Sequence, residues 1–257
     1  MQNSCVANQL RRKLKAFGPL STADAEFLAS LPADVIRVGP GRDLVREGGS
    51  CDTVLVMLQG IACRYRLLPG GQRQNTAYLI PGDLFGLRDG ALRATASAVG
   101  TVAPCTAAQV PRGALVDLAR ARPAISRALE AAAAADEAIL HEWLINVGRR
   151  TAYQRIAHLL CELLARFRAT GAAQGNGYEL LLTQYDIGDT TALSVVHVNR
   201  TLQQLRGDGL VRWDRRRVDI PDPARLAAVA MFDPAYLGFD APALESQETG
   251  SDHRLSA

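Results

Sequence analysis

From Pro123 to Val147 the chain contains no glycine, and after its first residue no proline. Such a stretch predicts one long helix. Two apolar stripes run along it. Leu140, Trp143 and Val147 recur at helical spacing, and Ile125, Ala128, Ala132, Ala135 and Ile139 form a second stripe. A helix that is apolar on two sides must bury both. One side can lie on a neighbouring domain. The other needs either more of its own chain or the same helix of a second copy. Self-association makes Ile125, Leu129, Ala132, Ile139, Leu140, Trp143 and Val147 the expected dimerisation residues.

The 257 residues leave room for two ordinary domains around this helix. Residues 1–20 read as a basic lead-in. Ser21-Thr22-Ala23-Asp24 opens a short helix, with a hydroxyl cap and an acid in its first turn; Phe27, Leu28 and Leu31 share one side, and Pro32 ends it. The pattern then changes to short β-branched and apolar runs: 35–38, 44–45, 54–58, 61–68 and 75–80. Gly39-Pro40-Gly41, Gly48-Gly49, Gly60, Pro69-Gly70-Gly71 and Pro81-Gly82-Asp83 separate them. Many short strands with glycine punctuation predict a sandwich, barrel or roll. The expected units are therefore 21–122, a helix over 123–148 broken at Gly148, a second domain over 149–236, and a disordered acidic tail over 237–257.

Function is most legible between residues 183 and 206. Thr183 is placed to cap a helix, with Asp186 three positions on. Ile187 and the small Gly188 let this helix lie close to a second. Thr191-Ala192-Leu193 forms the turn, and Ser194 caps the second helix, which Val198, Leu202 and Leu205 anchor. This is helix-turn-helix spacing. The opposite face carries Val195, Val196, Asn199 and Arg200, with His197 and Gln203 beside them. Arg200 can bond in bidentate fashion to guanine, Asn199 can pair with adenine, and the valines can pack on thymine methyls. Trp213 to Ile220 reads as a hairpin wing whose Arg215, Arg216 and Arg217 would meet phosphate. Thr183 and Gln184 complete the expected DNA contacts. Residues 149–220 hold 11 basic and 7 acidic groups, the most basic part of a chain whose net charge is only +3. That excess fits a nucleic-acid partner.

Together with Arg150-Thr151-Ala152-Tyr153-Gln154-Arg155-Ile156-Ala157 and Gly209-Leu210-Val211, the helix-turn-helix segment resembles the winged helix of Crp/Fnr transcription regulators. Gly39-Pro40-Gly41, Glu47-Gly48, Leu58-Gln59-Gly60 and Pro81 to Gly86 resemble that family's sensor domain. The resemblance covers residues 16–236. It implies an α+β fold: an N-terminal cyclic-nucleotide-binding-like β-roll, a long dimerisation helix and a C-terminal winged helix-turn-helix. It also implies a homodimer on a palindromic DNA site with half-sites roughly 34–36 Å apart, and RNA polymerase as a further partner. Where well-known members carry Arg-Glu or Glu, this chain has Val195-Val196. Ala192 stands where a turn glycine is usual.

By the same resemblance, cyclic-nucleotide binders have Gly-Glu followed by an Arg-Ser/Thr-Ala cassette. Here Gly86 precedes Leu87, which cannot hydrogen-bond a ribose hydroxyl. Arg93-Ala94-Thr95-Ala96 copies the cassette poorly. Cyclic AMP is thus disfavoured, and Gly86, Arg93 and Thr95 are weak ligand candidates for an effector of unknown identity. The cysteines (Cys5, Cys51, Cys63, Cys105 and Cys161) are odd in number and widely spaced. They read as reduced thiols, with only Cys5 at the N-terminus, so neither an iron–sulfur cluster nor a disulfide framework is expected. No histidine precedes His141 in the sensor, so no haem is expected, and His141, His158 and His253 read as ordinary residues. No metal site is evident.

No catalytic motif is present, so an enzyme is not expected. Hydrophobic residues at 48% and charged residues at 21% exclude wholesale disorder. With no membrane-length apolar run or signal peptide, the expected location is the cytoplasm. The alternative reading is a small-molecule, cyclic-nucleotide-like sensor whose DNA-binding domain is vestigial.

Overall fold

The computed structural model describes residues 2–50, 52–88 and 94–239. Two helices come first, α1 (Gln2–Lys15) and α2 (Thr22–Ala29). Eight strands follow: β1 (Asp34–Val38), β2 (Asp43–Val45), β3 (Thr53–Gln59), β4 (Ala62–Leu67), β5 (Arg73–Leu79), β6 (Leu84–Phe85), β7 (Ala98–Thr101) and β8 (Cys105–Pro111). Helices α3 (Arg112–Ala121), α4 (Pro123–Arg149) and α5 (Ala152–Ala169) lead into the C-terminal part. There β9 (Gly177–Glu179), α6 (Gln184–Thr191), α7 (Val195–Gly207), β10 (Arg212–Asp214), β11 (Arg217–Asp219) and α8 (Pro223–Ala230) precede a 3-10 turn over Pro234–Leu237.

The first eight strands form two antiparallel four-stranded sheets, ordered β1-β8-β3-β6 and β2-β7-β4-β5. Strand alternation explains their packing. Leu55 and Met57 of β3 point between the sheets, where they meet Ala62, Leu79, Val99 and Ala107. Val54, Val56 and Leu58 point outward beneath α1, α3 and the first half of α4. The other sheet sends Cys63 and Tyr78 outward onto Trp143 of α4 and onto α5. The roll therefore lies between two helical layers. Its chain crosses from one sheet to the other at Gly60, which needs glycine twice over. Its φ is +83°, and a Cβ would sit 2.3 Å from the carbonyl oxygen of Pro104.

Pro123 occupies the first turn of α4, where its missing N–H costs no helix bond. Arg150 (ψ 149°) is extended and ends the helix, two residues later than the break expected at Gly148. Thr151 then caps α5 in a reciprocal capping box with Gln154. Ile156, Leu159, Leu160, Leu163, Leu164 and Phe167 are buried, as their spacing predicts. They form one core with α4, α6, α7 and the outer face of the second sheet.

The basic lead-in is largely helical, with α1 filling most of it and burying Val6, Leu10 and Leu14 against the roll. Two expectations need correction. Leu237 does not begin a free tail. It is fully buried, Phe239 packs on the same core, and residues 240–257 lie outside the described residues. Most of the predicted dimerisation residues face inward. Ile125, Leu129, Ala132, Ile139 and Trp143 are covered by their own chain, because the roll and α5 occupy that side of α4. What stays uncovered is a narrower stripe, with Leu140, Leu144 and Ile145 exposed and Val147 half-buried. Of the cysteines, Cys63, Cys105 and Cys161 are buried thiols and Cys5 is exposed, while Cys51 lies outside the described residues.

His158 is fully buried between Phe232 and Tyr236, with Glu142 Oε1 at 3.3 Å from its Nε2. Burial, and then the charge of Arg150, pushes its imidazole down to about 3 from the ordinary 6.5. Unfolding therefore takes up a proton below pH 6.5. This contribution to stability is complete above 6.5 and declines as the pH falls toward 3. Between about pH 7.5 and about pH 5, wild type is expected to lose about 2 kcal/mol more than His158→Gln does, read by urea unfolding. Parallel pH profiles would show that the imidazole titrates normally in the fold.

Candidate nucleic-acid interface

The helix-turn-helix is built largely from local signals. Thr183 Oγ1 accepts from Asp186 N (3.2 Å), and Asp186 Oδ2 accepts from Thr183 N (2.8 Å) and Oγ1 (2.6 Å). This closes the N-terminus of α6. At the other end Ala192 adopts φ +54°, ψ +44°, the left-handed conformation that a turn glycine would take without cost. Ser194 caps α7 by accepting from His197 N (3.4 Å), and its Oγ lies 3.0 Å from His197 Nδ1. Gly188 lets the two helices touch, since a Cβ there would lie 2.7 Å from the Leu193 carbonyl oxygen.

Helix α7 buries Val198, Thr201, Leu202 and Leu205. The face it leaves to solvent contains Val196 (71% exposed), His197, Asn199, Arg200 and Gln203, with Val195 half-buried at its edge. Asn199 Nδ2 donates to Gln184 Oε1 at 3.4 Å, which brings the first turn of α6 and the face of α7 together. Strands β10 and β11 pair as a hairpin and β9 adds a third strand. Arg215, at φ +49°, and Arg216 sit exposed at its tip. Arg217 is engaged within the wing: it donates to Asp219 (2.9 and 3.0 Å) and to Gln174 Oε1 (3.2 Å). The structure thus brings the α6 and α7 residues onto one side and separates Arg217 from the two arginines at the tip.

Three residues that matter here escape the sequence reading. Tyr185 is 72% exposed, beside Gln184 at the start of α6. With Ile187 fixed inside, a position two residues earlier on the helix must point out, so the signal was present. Arg155 NH1 donates to Thr191 O (3.0 Å) and steadies the turn between the helices. Arg206 NH2 donates to Trp213 O (3.2 Å) and ties the wing to α7. No local pattern marks either contact.

Gly86 borders two cavities of the roll: with Leu84, Leu87, Arg88, Asp136 and Glu137 it lines one of about 340 Å³ between the roll and α4. The cavity lined by Val45, Leu55, Phe85, Gly86 and Thr95 measures about 20 Å³, room for one water. Thr95 is buried and its hydroxyl donates to Arg46 O (2.8 Å). Arg93 lies outside the described residues. Of the thiols among the described residues, Cys63, Cys105 and Cys161 belong to β4, β8 and α5 and Cys5 to α1. Among the described residues, no three His, Cys, Asp or Glu side chains gather as a metal site.

Residues 35–122 match the cyclic nucleotide-binding domain, and residues 154–229 match the Crp-like helix-turn-helix domain. A nitrogen fixation regulation protein FixK of Azorhizobium caulinodans is 32% identical over 208 residues, which span 80% of this chain and 82% of that protein. The chain belongs to the Crp/Fnr family of transcription regulators. Another relative, the transcriptional activatory protein AadR of Rhodopseudomonas palustris, is 29% identical over 230 residues, 88% of this chain and 93% of that protein. The solved structure of FixK2 from Bradyrhizobium japonicum superposes with a TM-score of 0.68 at 26% identity, covering 77% of this chain and 98% of that one. Within the Crp/Fnr frame the strained turn at Ala192 is a departure that costs stability. Ala192→Gly is expected to raise stability by about 0.5–1 kcal/mol in thermal or urea unfolding. An unchanged or lower midpoint would mean that the left-handed turn carries no strain.

Proposed function

We propose that the protein acts as a homodimer that reads a palindromic duplex, one α7 in the major groove of each half-site. The observation that carries this reading is the division of α7: Val198, Leu202 and Leu205 are buried, while Val196, Asn199, Arg200 and Gln203 are presented together to solvent. Arg200 and Asn199 read base edges, the valines read thymine methyls, and His197 and Ser194 lie alongside. Thr183, Gln184 and Tyr185 approach one phosphate strand, and Arg215 and Arg216 approach another. Functionally, residues 21–122 serve as sensor, 123–148 as dimer helix and 149–236 as DNA reader.

The dimer forms on the stripe of α4 that its own chain leaves open. Leu144 is 68% exposed, and Leu140, Ile145 and Val147 border it. Two such stripes meeting about a two-fold axis bury each other. The likeness to proteins named as activators supports an activating role with RNA polymerase as partner. Among the described residues no helix is long and apolar enough to cross a membrane, and the reading places the regulator in the cytoplasm with its DNA. It binds and does not catalyse.

Selection of bound duplexes from a random pool tests the reading and yields the operator. Enrichment of a two-fold site is expected; failure to enrich any sequence would leave a small-molecule sensor with a vestigial DNA domain. On the selected site, Arg200→Ala should relax preference at one position per half-site, at a cost of about 1–3 kcal/mol. Arg216→Ala should weaken all duplexes alike and reduce the salt slope by about one per wing. Identical effects of the two changes would refute the groove assignment. For the dimer, Leu144→Asp should weaken association by about 100-fold or more, since two copies of a side chain worth about 1.5–3 kcal/mol are lost. Sedimentation over a concentration series reads this, with an unshifted monomer–dimer equilibrium as the contrary result.

A further inference from the structure

The matched family domains end at residue 122 and, after an interval, at residue 229. Two segments outside both of them, α1 and the chain after α8, meet at the junction between roll and winged helix. Lys13 of α1 donates to Asp83 Oδ1 at 2.7 Å. Asp83 Oδ2 accepts from Arg166 NH2 of α5 at 2.6 Å and from Ile80 N at 2.8 Å. Arg166 also donates to the Tyr78 carbonyl (2.7 Å) and, through NH1, to Glu162 Oε1 (3.1 Å). Glu162 Oε2 accepts from Trp143 Nε1 of α4 (2.8 Å) and from the Tyr236 hydroxyl of the C-terminal segment (2.9 Å). The ends of this string also meet. Phe239 lies against Phe17 with ring centroids 5.4 Å apart, and the Lys13 ammonium sits over both rings.

All four ions are buried. Burial pushes the Asp83 carboxyl up, but Lys13 and Arg166 outweigh it and hold it below the usual range. The charged form is therefore the one built into the fold. The covalent link it spans is slight. Only Arg150 and Thr151, both extended, separate α4 from α5. The angle at which α5, and with it α7, leaves α4 is set by the shared apolar core and by side-chain ties, some at the link itself, where Arg150 donates to Glu142 Oε1 (2.5 Å) and to Met231 O (3.3 Å), and others between the domains. The neutral ties between β5 and α6 include Tyr78 Oη with Asp186 O (2.9 Å) and Thr190 Oγ1 (2.6 Å), Asn75 Nδ2 to Thr190 Oγ1 (3.2 Å) and Asp186 O (3.3 Å), and Gln74 Nε2 to Thr190 O (3.3 Å). Buried ionic ties are the costlier ones to break.

We propose that this string is the spacing gauge of the dimer: α1 and the C-terminal segment, through Lys13 and Tyr236, fix the separation of the two recognition helices and so select the distance between half-sites. Lys13 and Tyr236 are positioning residues remote from the DNA-reading face. The inference rests on the DNA reading above. A change of a few ångström at α7 matters, because one base pair of spacer is about 3.4 Å along the duplex.

The test uses full-length protein and duplexes with identical selected half-sites whose separation varies by one and two base pairs. Wild type is expected to prefer one separation by about tenfold. Tyr236→Phe removes one hydroxyl, and Lys13→Met removes one charge while keeping the stem. Each should reduce the spacing preference to about threefold or less while leaving base preference within a half-site intact. Lys13→Arg should keep the wild-type profile. Spacing profiles unchanged in both Tyr236→Phe and Lys13→Met overturn the gauge, and so does base preference lost together with spacing preference, which would make the string only a support of the recognition domain. Failure of the DNA reading looks different: Arg200→Ala then leaves base preference untouched in wild-type background.

Discussion

Asp83 sits where α1, α5 and its own turn meet, and the arrangement of the junction follows from satisfying it. A buried carboxylate without partners is too costly to keep ionised. Here its oxygens take Lys13 from α1, Arg166 from α5 and a backbone N–H from its own turn. Arg166 then demands a second acceptor and finds Glu162, which in turn takes Trp143 of α4 and Tyr236. Taking away one member strands the charge of the next, a loss of about 3–5 kcal/mol in comparable buried pairs. An apolar cluster could hold the same elements together. The ions add direction, since each guanidinium and carboxylate must meet its partner at hydrogen-bond distance. Even the backbone conforms. Gly82, at φ +97°, lets α1 come close, and a Cβ there would be 3.1 Å from Cβ of Lys13.

The same demand explains how α4 is used. Its alanines at 128, 132 and 135 are buried, so the roll and α3 come close on that side. Farther along, Trp143 turns inward because its indole N–H has a carboxylate to meet. Once those faces are taken, the remaining apolar residues fall on a single stripe from Leu140 to Val147. The proposed dimer surface is thus what the ionic string and the roll leave over, and the junction and that surface lie on one helix.

What the sequence made legible and what it did not divide by contact distance. The helix-turn-helix could be read because its determinants are neighbours: Thr183 with Asp186, Ser194 with His197, Gly188 with Leu193. The roll could be read from alternation and glycine punctuation, although β6, β7 and β8 are not among the runs it marks: β6 and β7 have two and four residues, too few to show a period, and the Cys-Thr-Ala-Ala-Gln-Val-Pro of β8 has little β-branched or aromatic character. Helix α1 carries Val6, Leu10 and Leu14 at helical spacing beneath its basic residues; its place in the fold was not legible, because Lys13 finds its partner 70 residues away. Leu237 was missed for the same reason. The two stripes of α4 were visible, but which stripe its own chain covers depends on α5 and the roll, and periodicity carries no information about them.

The recognition face has a consequence for what it can distinguish. A carboxylate at position 196 could accept a hydrogen bond from cytosine, whereas Val196 accepts none and contributes only contact with a methyl group. On the proposed DNA reading, polar discrimination then falls to Asn199 and Arg200. Asn199 directs one amide hydrogen at Gln184 over a long 3.4 Å contact; in that orientation its oxygen and second hydrogen would be presented together, as the proposed contact with an adenine edge requires. Gln184 belongs to α6, which is held by its capping box and by the close approach at Gly188. The aim of Asn199 is therefore set from the first helix, across the strained turn at Ala192, and a looser turn would blur it before any base contact is lost.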